Sequence, residues 1–134
     1  MLSYEFDTVT RERVKEYAEL ILHDVQEYIS LSEGCMLHYS FHLCIWEILA
    51  NIADHNPCAA STCHTQVTVM WTEDEIVLEI TNQGATFDWQ KYLASALPSP
   101  DQVRGRGLYI IKSISKSFTY KEDGKTAHIT FDRH

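Results

Sequence analysis

The sequence predicts an α+β fold, a two-layer α/β sandwich in which helices cover one face of a mixed, mostly antiparallel sheet. Two segments, near residues 63–81 and 118–131, alternate apolar and polar residues around turn residues, which is the pattern of β-hairpins with one apolar face. Other segments repeat apolar residues every three or four positions, which indicates amphipathic helices. The apolar faces of the hairpins need a cover, and these helices can provide it.

The chain starts with a predicted strand and a predicted helix. Leu2, Tyr4 and Phe6 alternate with polar residues, as expected of a short strand. The apolar stripe of the following helix runs over 14–28, and Thr10 is its expected N-terminal cap.

A second predicted helix follows a glycine-containing break at 31–35. Its apolar residues recur at helical spacing over 37–52, and Cys44 lies on this stripe as a small hydrophobic residue. The helix is expected to end near His55, because Pro57 disfavours helix for the residue before it.

The second half of the chain contains two hairpins separated by a further helix. Turns are predicted at Glu73-Asp74 and at Asp123-Gly124, and two prolines exclude regular structure from 98–104. The predicted elements are, in order, strands near 63–71 and 76–81, a short helix within 87–97, a helix that opens at Gly107, and strands near 118–120 and 127–131.

The composition is that of a single cytosolic domain. The 134 residues suit one core, and 45% hydrophobic with 22% charged residues are ordinary values for a globular protein. No apolar run approaches the roughly 18 residues of a membrane span, and the first residues show no basic and apolar leader. We therefore expect a cytoplasmic protein that does not bind membranes.

The formal net charge of −8 limits the partners. Non-specific binding to nucleic acid or to anionic membranes needs a positive surface, so we expect neither. A nucleotide is compatible with this charge, because a few local donors and one metal ion can hold a triphosphate. The charge also suits a partner protein with a basic surface.

Two groups of side chains leave metal binding open. Cys58 and Cys63, followed by His64, lack the paired spacing of the usual zinc sites, so reduced thiols are the simplest interpretation. His38 and His42 are four residues apart on the second helix. No carboxylate lies between them, which favours two partly exposed histidines over a metal site.

Three polar residues, Glu47, Asn51 and His55, recur every four positions on the second helix. They form a ladder about 60° from the apolar line through Cys44, so they lie at the edge of the buried face. A solvated polar rim would explain this pattern. The ladder also suits a pocket floor, where Asn51 can bind Mg²⁺ through its carbonyl oxygen and Glu47 can act as a general base.

Two glycine-containing turns would complete such a pocket. Gly105-Arg-Gly107 opens a helix, where free backbone N–H groups bind phosphate oxygens and where Arg104 and Arg106 add positive charge. Asn82 and Gly84 follow a predicted buried strand, and the Asn82 amide suits a base edge such as that of adenine. Each turn on its own also fits an ordinary tight turn.

These motifs together resemble those of the GHKL ATPase superfamily, which has the Bergerat fold, and within it the small bacterial anti-sigma factor serine kinases. The resemblance covers nearly the whole chain, and Glu47-x-x-x-Asn51-x-x-x-His55 looks like the N box of the family. Ile80-Thr-Asn-Gln-Gly-Ala-Thr-Phe-Asp88 looks like its first glycine box. Arg104-Gly-Arg-Gly-Leu-Tyr-Ile-Ile111 is similar to its second glycine box, and Thr126 resembles a threonine near the adenine.

The resemblance implies a histidine-kinase-like ATPase domain that uses ATP and Mg²⁺. It implies that Asn51 binds Mg²⁺, that Glu47 is the catalytic base, and that the loop 90–104 is a lid over the nucleotide. With the arginines beside the second glycine box included, the candidate nucleotide-binding residues are Asn51, His55, Asn82, Gly84, Arg104, Gly105, Arg106, Gly107, Leu108 and Thr126.

The resemblance further implies a serine/threonine protein kinase. Its substrate would be a small anti-sigma-factor antagonist protein, a sigma factor would be a second partner, and the chain would form a homodimer. Two residues depart from the family pattern, because Asn82 stands where Asp is usual and Thr86 replaces the second glycine of the first box. A bond from Asn82 to adenine lacks charge assistance, which weakens it by about 1 kcal/mol.

Two alternative functions stay open at this point. One is a non-catalytic switch module that has a degenerate nucleotide pocket and acts by association alone. The other is a domain that phosphorylates histidine on a partner. Such domains usually have a longer lid and a dimerisation helix in the same chain.

Overall fold

The fold consists of five strands and three helices in the part of the chain that the computed structural model describes, residues 1–7, 9–29, 36–55, 64–82, 106–121 and 126–133. The elements are β1 (Leu2–Phe6), α1 (Arg11–Tyr28), α2 (Met36–His55), β2 (Thr65–Trp71), β3 (Glu75–Asn82), α3 (Arg106–Ile114), β4 (Ser117–Lys121) and β5 (Thr126–Asp132). Their order agrees with the predicted order. The break at 31–35, the short helix within 87–97, the loop 98–104 and the turn at 123–124 lie outside the described residues.

The strands form one sheet in the order β1-β2-β3-β5-β4, and every neighbouring pair is antiparallel. β3 and β4 run in the same direction with β5 between them, so the chain passes from β3 through α3 to a strand that is not its neighbour. The predicted α+β class, with a mostly antiparallel sheet, is confirmed.

One face of the sheet is covered by helices, and we call it the helix-covered face. Aromatic contacts show the cover: the rings of Phe41 on α2 and Phe131 on β5 meet edge to face at 5.7 Å, and Phe6 on β1 stacks on Tyr17 of α1 at 3.9 Å. The buried strand residues on this face are Phe6, Thr65, Val67, Val69, Ile76, Leu78, Ile80, Asn82, Ala127, Ile129 and Phe131. The predicted role of the helices as a cover is therefore confirmed.

α1 begins as the sequence predicts, but its cap differs. Thr10 takes the N-cap position with an extended backbone, and its carbonyl accepts the N–H of Arg13 at 3.0 Å. Thr10 is thus at the predicted N-cap position, but its side chain makes no capping hydrogen bond. Within the described ranges, no helix is both long and apolar enough to span a membrane.

Candidate functional site

The ladder predicted on α2 lies at the rim of the core. Cys44 and Ile48 are buried, whereas Glu47 and Asn51, which follow each of them by three positions, are only partly buried. The packing of one apolar stripe against the sheet thus places a carboxyl and an amide along the edge of that stripe. His55 is the last residue of α2, and its side chain lies outside the described part of the structure.

The half-buried position of Glu47 changes its acidity. Burial raises the pKa of the Glu47 carboxyl above its ordinary value, because the charged form loses solvent. Burial, and secondarily the Glu47 charge, raise the pKa of the Cys44 thiol to about 12, so this free cysteine is a protonated core residue. A carboxyl with a raised pKa is a better proton acceptor than an exposed one, which suits a general base.

Asn51 carries a polar atom without a partner. Its Nδ2 is buried and has no hydrogen-bond partner within the described part of the chain. Such a group costs about 1–3 kcal/mol, so a native protein usually has a use for it. An anionic oxygen fits this donor, and the Oδ1 of the same amide is a hard ligand of the kind Mg²⁺ prefers. The donor set of Asn51 is therefore compatible with a magnesium-bound phosphate group.

Two buried polar residues stand opposite each other at one end of the sheet. Asn82, the last residue of β3, pairs in register with Thr65, the first residue of β2. Their side chains share the helix-covered face, since residues directly opposite in an antiparallel pair point the same way. Thr65 is 1% exposed and Asn82 is 8% exposed. The structure thus joins to Asn82 a threonine that the sequence analysis did not single out.

A sequence signal for Thr65 existed. The alternation that places Val67 and Val69 inward places Thr65 inward too, and a hairpin turning at Glu73-Asp74 pairs it with a residue near Asn82. Motif spacing alone does not identify Thr65, because its position opposite Asn82 depends on strand register.

Thr126 lies on the other face of the sheet. It pairs in register with Thr81, and the two hydroxyl oxygens are 2.9 Å apart. Thr81 and Asn82 are consecutive strand residues, so their side chains point to opposite faces. The structure therefore does not bring the Thr126 side chain to Asn82, and its contact with a nucleotide stays a prediction.

α3 packs against α2. A cavity of about 370 Å³ is lined by Ser40 of α2 and by Ile114, the last residue of α3. The end of α3 therefore lies near the first half of α2. The predicted approach of the first turn of α3 to Glu47 and Asn51 stays a prediction.

The first turn of α3 contains part of the predicted second glycine box. The helix begins at Arg106, so the backbone N–H groups of Arg106, Gly107 and Leu108 belong to the turn that has no intrahelical acceptors. Such N–H groups bind anions. The side chains of these residues, together with Gly84, Arg104 and Gly105, lie outside the described part, and their predicted contacts stay predictions.

The other metal candidates gain no support. Among the described residues, no three histidine, cysteine, aspartate or glutamate side chains are grouped to hold a metal ion. His42 instead meets the Trp46 ring edge to face, and burial lowers its pKa. Cys58 and Cys63 lie outside the described ranges.

Comparison with known protein families gives one match. The family model described as the histidine kinase-like ATPase domain matches residues 9–132. This span runs from the residue before Thr10 to the end of β5 and includes every candidate site residue. A search of curated proteins found no match.

The raised pKa of Glu47 predicts a pH-dependent gain in stability for Glu47→Gln. At pH 7 the folded protein holds a partly desolvated carboxylate, and glutamine removes that charge, so we expect a thermal midpoint about 2 °C higher. Below pH of about 4 the glutamate is protonated in both folded and unfolded chains, so the gain disappears. Thermal unfolding of the ligand-free protein followed by circular dichroism at both pH values measures this.

Glu16→Gln is the matched control, because Glu16 is an exposed glutamate of α1. It should leave the midpoint within about 1 °C at either pH. A gain of equal size at both pH values for Glu47→Gln would contradict the assigned cause.

Proposed function

The chain belongs to the histidine kinase-like ATPase domain family, whose members bind ATP, and we propose that it is a Mg²⁺-dependent serine/threonine protein kinase of the anti-sigma regulator type. Its substrate is a small anti-sigma-factor antagonist protein, and a sigma factor is its second partner. We further propose that it works in the cytoplasm as a homodimer. The observation that supports the proposal most is the Asn51 amide, which has no hydrogen-bond partner among the described residues and lies one helical turn from the half-buried Glu47.

Different residues of the candidate site have different roles in the proposed phosphoryl transfer. When bound, ATP supplies the phosphoryl group and Mg²⁺ neutralises the charge of its oxygens. Asn51 would hold the ion through Oδ1, and the N–H groups of the first turn of α3 would bind the phosphate chain. Glu47 would accept the proton of the substrate hydroxyl as its oxygen bonds to the phosphorus and ADP leaves, and its raised pKa increases its strength as a base. Phosphoryl transfer depends mainly on positioning and charge neutralisation, and these groups would supply both.

A switch module without phosphoryl transfer is the second candidate. The neutral Asn82 amide at the buried end of β3 favours it, because a neutral group holds a base less strongly than a carboxylate. Such a protein would bind its partner in a nucleotide-dependent way and leave the partner unmodified. The kinase and the switch module differ in one observable: only the kinase leaves a phosphate group on the partner protein.

Glu47→Gln is expected to abolish transfer and to keep nucleotide binding. Incubation of the full chain with labelled ATP, Mg²⁺ and an anti-sigma-factor antagonist protein should label a serine or threonine of that protein. The variant should transfer phosphate at least about 100-fold more slowly, because the general base is lost. Its dissociation constant for Mg-ATP should change by less than about threefold, since glutamine keeps the size and polarity of the side chain.

The results of these transfer and binding experiments distinguish the two candidate functions. Equal transfer by the variant would remove Glu47 as the base. Binding of Mg-ATP without any transfer by the natural protein would favour the switch module. Absence of binding at millimolar Mg-ATP would refute the nucleotide site itself.

Asn51→Leu is expected to weaken Mg-ATP binding and to stabilise the empty protein. Leucine has a similar shape and removes a buried amide nitrogen that has no partner in the described ranges, so the free energy of unfolding should rise by about 1 kcal/mol. Loss of the metal-binding oxygen should weaken Mg-ATP binding at least about tenfold. Urea unfolding and calorimetric titration measure the two effects. A variant that is less stable and binds normally would show that Asn51 has only a structural role.

A further inference from the structure

α2 carries a second apolar stripe on the side opposite its buried one. The members of this stripe recur at intervals of three and four residues, so they share a sector of about 100° on the helix surface. The buried residues Phe41, Ile45 and Ile48 lie on average about 160° away from that sector, against the sheet. We call the second set the outward stripe: Met36, Tyr39, Leu43, Trp46, Ala50 and Ala53.

The outward stripe is largely exposed to solvent. Met36 is 73% exposed, Tyr39 is 58% exposed and Trp46 is 37% exposed. Leu43 is partly exposed between them, and Ala50 at the far end is partly buried beside the core. A surface helix normally has polar side chains opposite its buried face, whereas a helix that is apolar on two sides is usually covered on both. A contiguous exposed apolar stripe is therefore typical of an interaction site.

The spacing of the outward stripe fits a second helix as its occupant. Alternating intervals of three and four residues over 36–53 correspond to the a and d positions of a heptad, the seam along which two helices pack side by side. At 1.5 Å per residue the stripe is about 26 Å long, which matches a partner helix of about five turns.

α1 provides acidic side chains beside this stripe. α1 and α2 pack against each other, and both cover the same face of the sheet. The side of α1 opposite its buried residues carries four exposed glutamates at helical spacing, which we call the acidic row: Glu12, Glu16, Glu19 and Glu27. Lys15 and His23 are close to this row, and the four carboxylates outnumber them.

Glu19 connects the acidic row to α2. Burial, and secondarily the charge of His38, lower the pKa of His42, and the Glu19 carboxylate on α1 opposes this shift. Glu19 therefore lies close to His42, whose ring meets that of Trp46 on the outward stripe at 6.5 Å. An acidic surface on α1 thus borders an apolar surface on α2.

We propose that this surface binds an amphipathic helix of a partner protein, with the apolar side of that helix on the outward stripe and its basic side chains over the acidic row. Complementary charge sets the position and identity of such a partner, and apolar anchors at helical spacing supply the contact. A second copy of this chain would bring another acidic row, so charge favours a different, basic protein. The inference does not depend on the nucleotide site, and a chain that failed to bind ATP would leave it standing.

Two synthetic peptides test the proposal on the full chain. Each has about 18 residues, enough for five helical turns, with leucines on one stripe. One peptide has lysines beside the stripe, and the other has glutamates in the same places. Fluorescence anisotropy of the labelled peptides should show the lysine peptide bound at least about tenfold tighter at about 50 mM salt. At about 1 M salt the difference should fall below about threefold, because the salt screens the acidic row.

Trp46→Ala tests the apolar contact. The variant should bind the lysine peptide at least about tenfold more weakly, because large aromatic side chains dominate such interfaces. Leu20→Ala is the matched control: Leu20 is an exposed apolar residue of α1, turned about 100° from Glu19 and away from α2. It should leave the affinity within about twofold. Trp46→Phe keeps an aromatic ring and should restore binding to within about threefold, which separates a lost contact from a failure to fold.

Glu19→Gln tests the charged contact. It should weaken binding of the lysine peptide about threefold at low salt, since one carboxylate of the acidic row is lost. Glu5→Gln removes the same charge from β1, where the alternation of the strand places the side chain on the opposite face of the sheet from the helices. That control should change the affinity by less than about 1.5-fold.

Several results would overturn the inference. Absence of lysine-peptide binding at about 1 mM protein would refute the docking surface. Equal binding of the two peptides would refute the choice of a basic partner, and an unchanged affinity in Trp46→Ala would refute the position of the contact. A dimer in sedimentation equilibrium that Trp46→Ala dissociates would assign the outward stripe to a second copy of the chain and refute the proposed partner.

Discussion

The packing of one apolar stripe of α2 against the sheet is the constraint on which the site depends. Phe41, Ile45 and Ile48 are almost fully buried, and the ring of Phe41 meets that of Phe131 on β5. This stripe sets the rotation of the helix about its axis. Once the rotation is set, Glu47 and Asn51 lie at the rim of the core, where both are partly buried. The packing of the core thus determines where Glu47 and Asn51 lie.

Several polar groups of the candidate site lie in energetically unfavourable environments in the ligand-free protein. The Glu47 carboxyl is partly desolvated, and Asn51 and Thr65 each bury a polar atom without a partner in the described residues. The same polar groups on the protein surface would be solvated and would not have these free-energy costs. Proteins commonly accept such costs where a ligand later satisfies the groups, at the expense of stability in the empty state. Asn51 lies at the rim of a helix and Thr65 at one end of the sheet.

The element order and the ladder on α2 were predictable because they depend on local periodicity. Apolar spacing of three to four residues identifies a helix and its buried side, and spacing of two identifies a strand. The strand order was not predictable from such patterns, since β5 lies between β3 and β4 through pairing between distant segments.

Strand register determines the positions of two residues, Thr126 and Thr65, that motif spacing does not place correctly. The family resemblance implies that Thr126 lies near the adenine, whereas pairing with Thr81 places its hydroxyl on the face away from Asn82. A shift of one residue in a strand moves a side chain to the other face, so a spacing argument cannot decide it. The same pairing rules bring Thr65 opposite Asn82.

A crystal structure of the protein with Mg²⁺ and a non-hydrolysable ATP analogue tests the central claim most directly. The account predicts the metal ion within about 2.1 Å of the Asn51 Oδ1, the phosphates against the first turn of α3, and the base at the end of β3 near Asn82. A nucleotide bound elsewhere, or phosphates remote from α2, would contradict it.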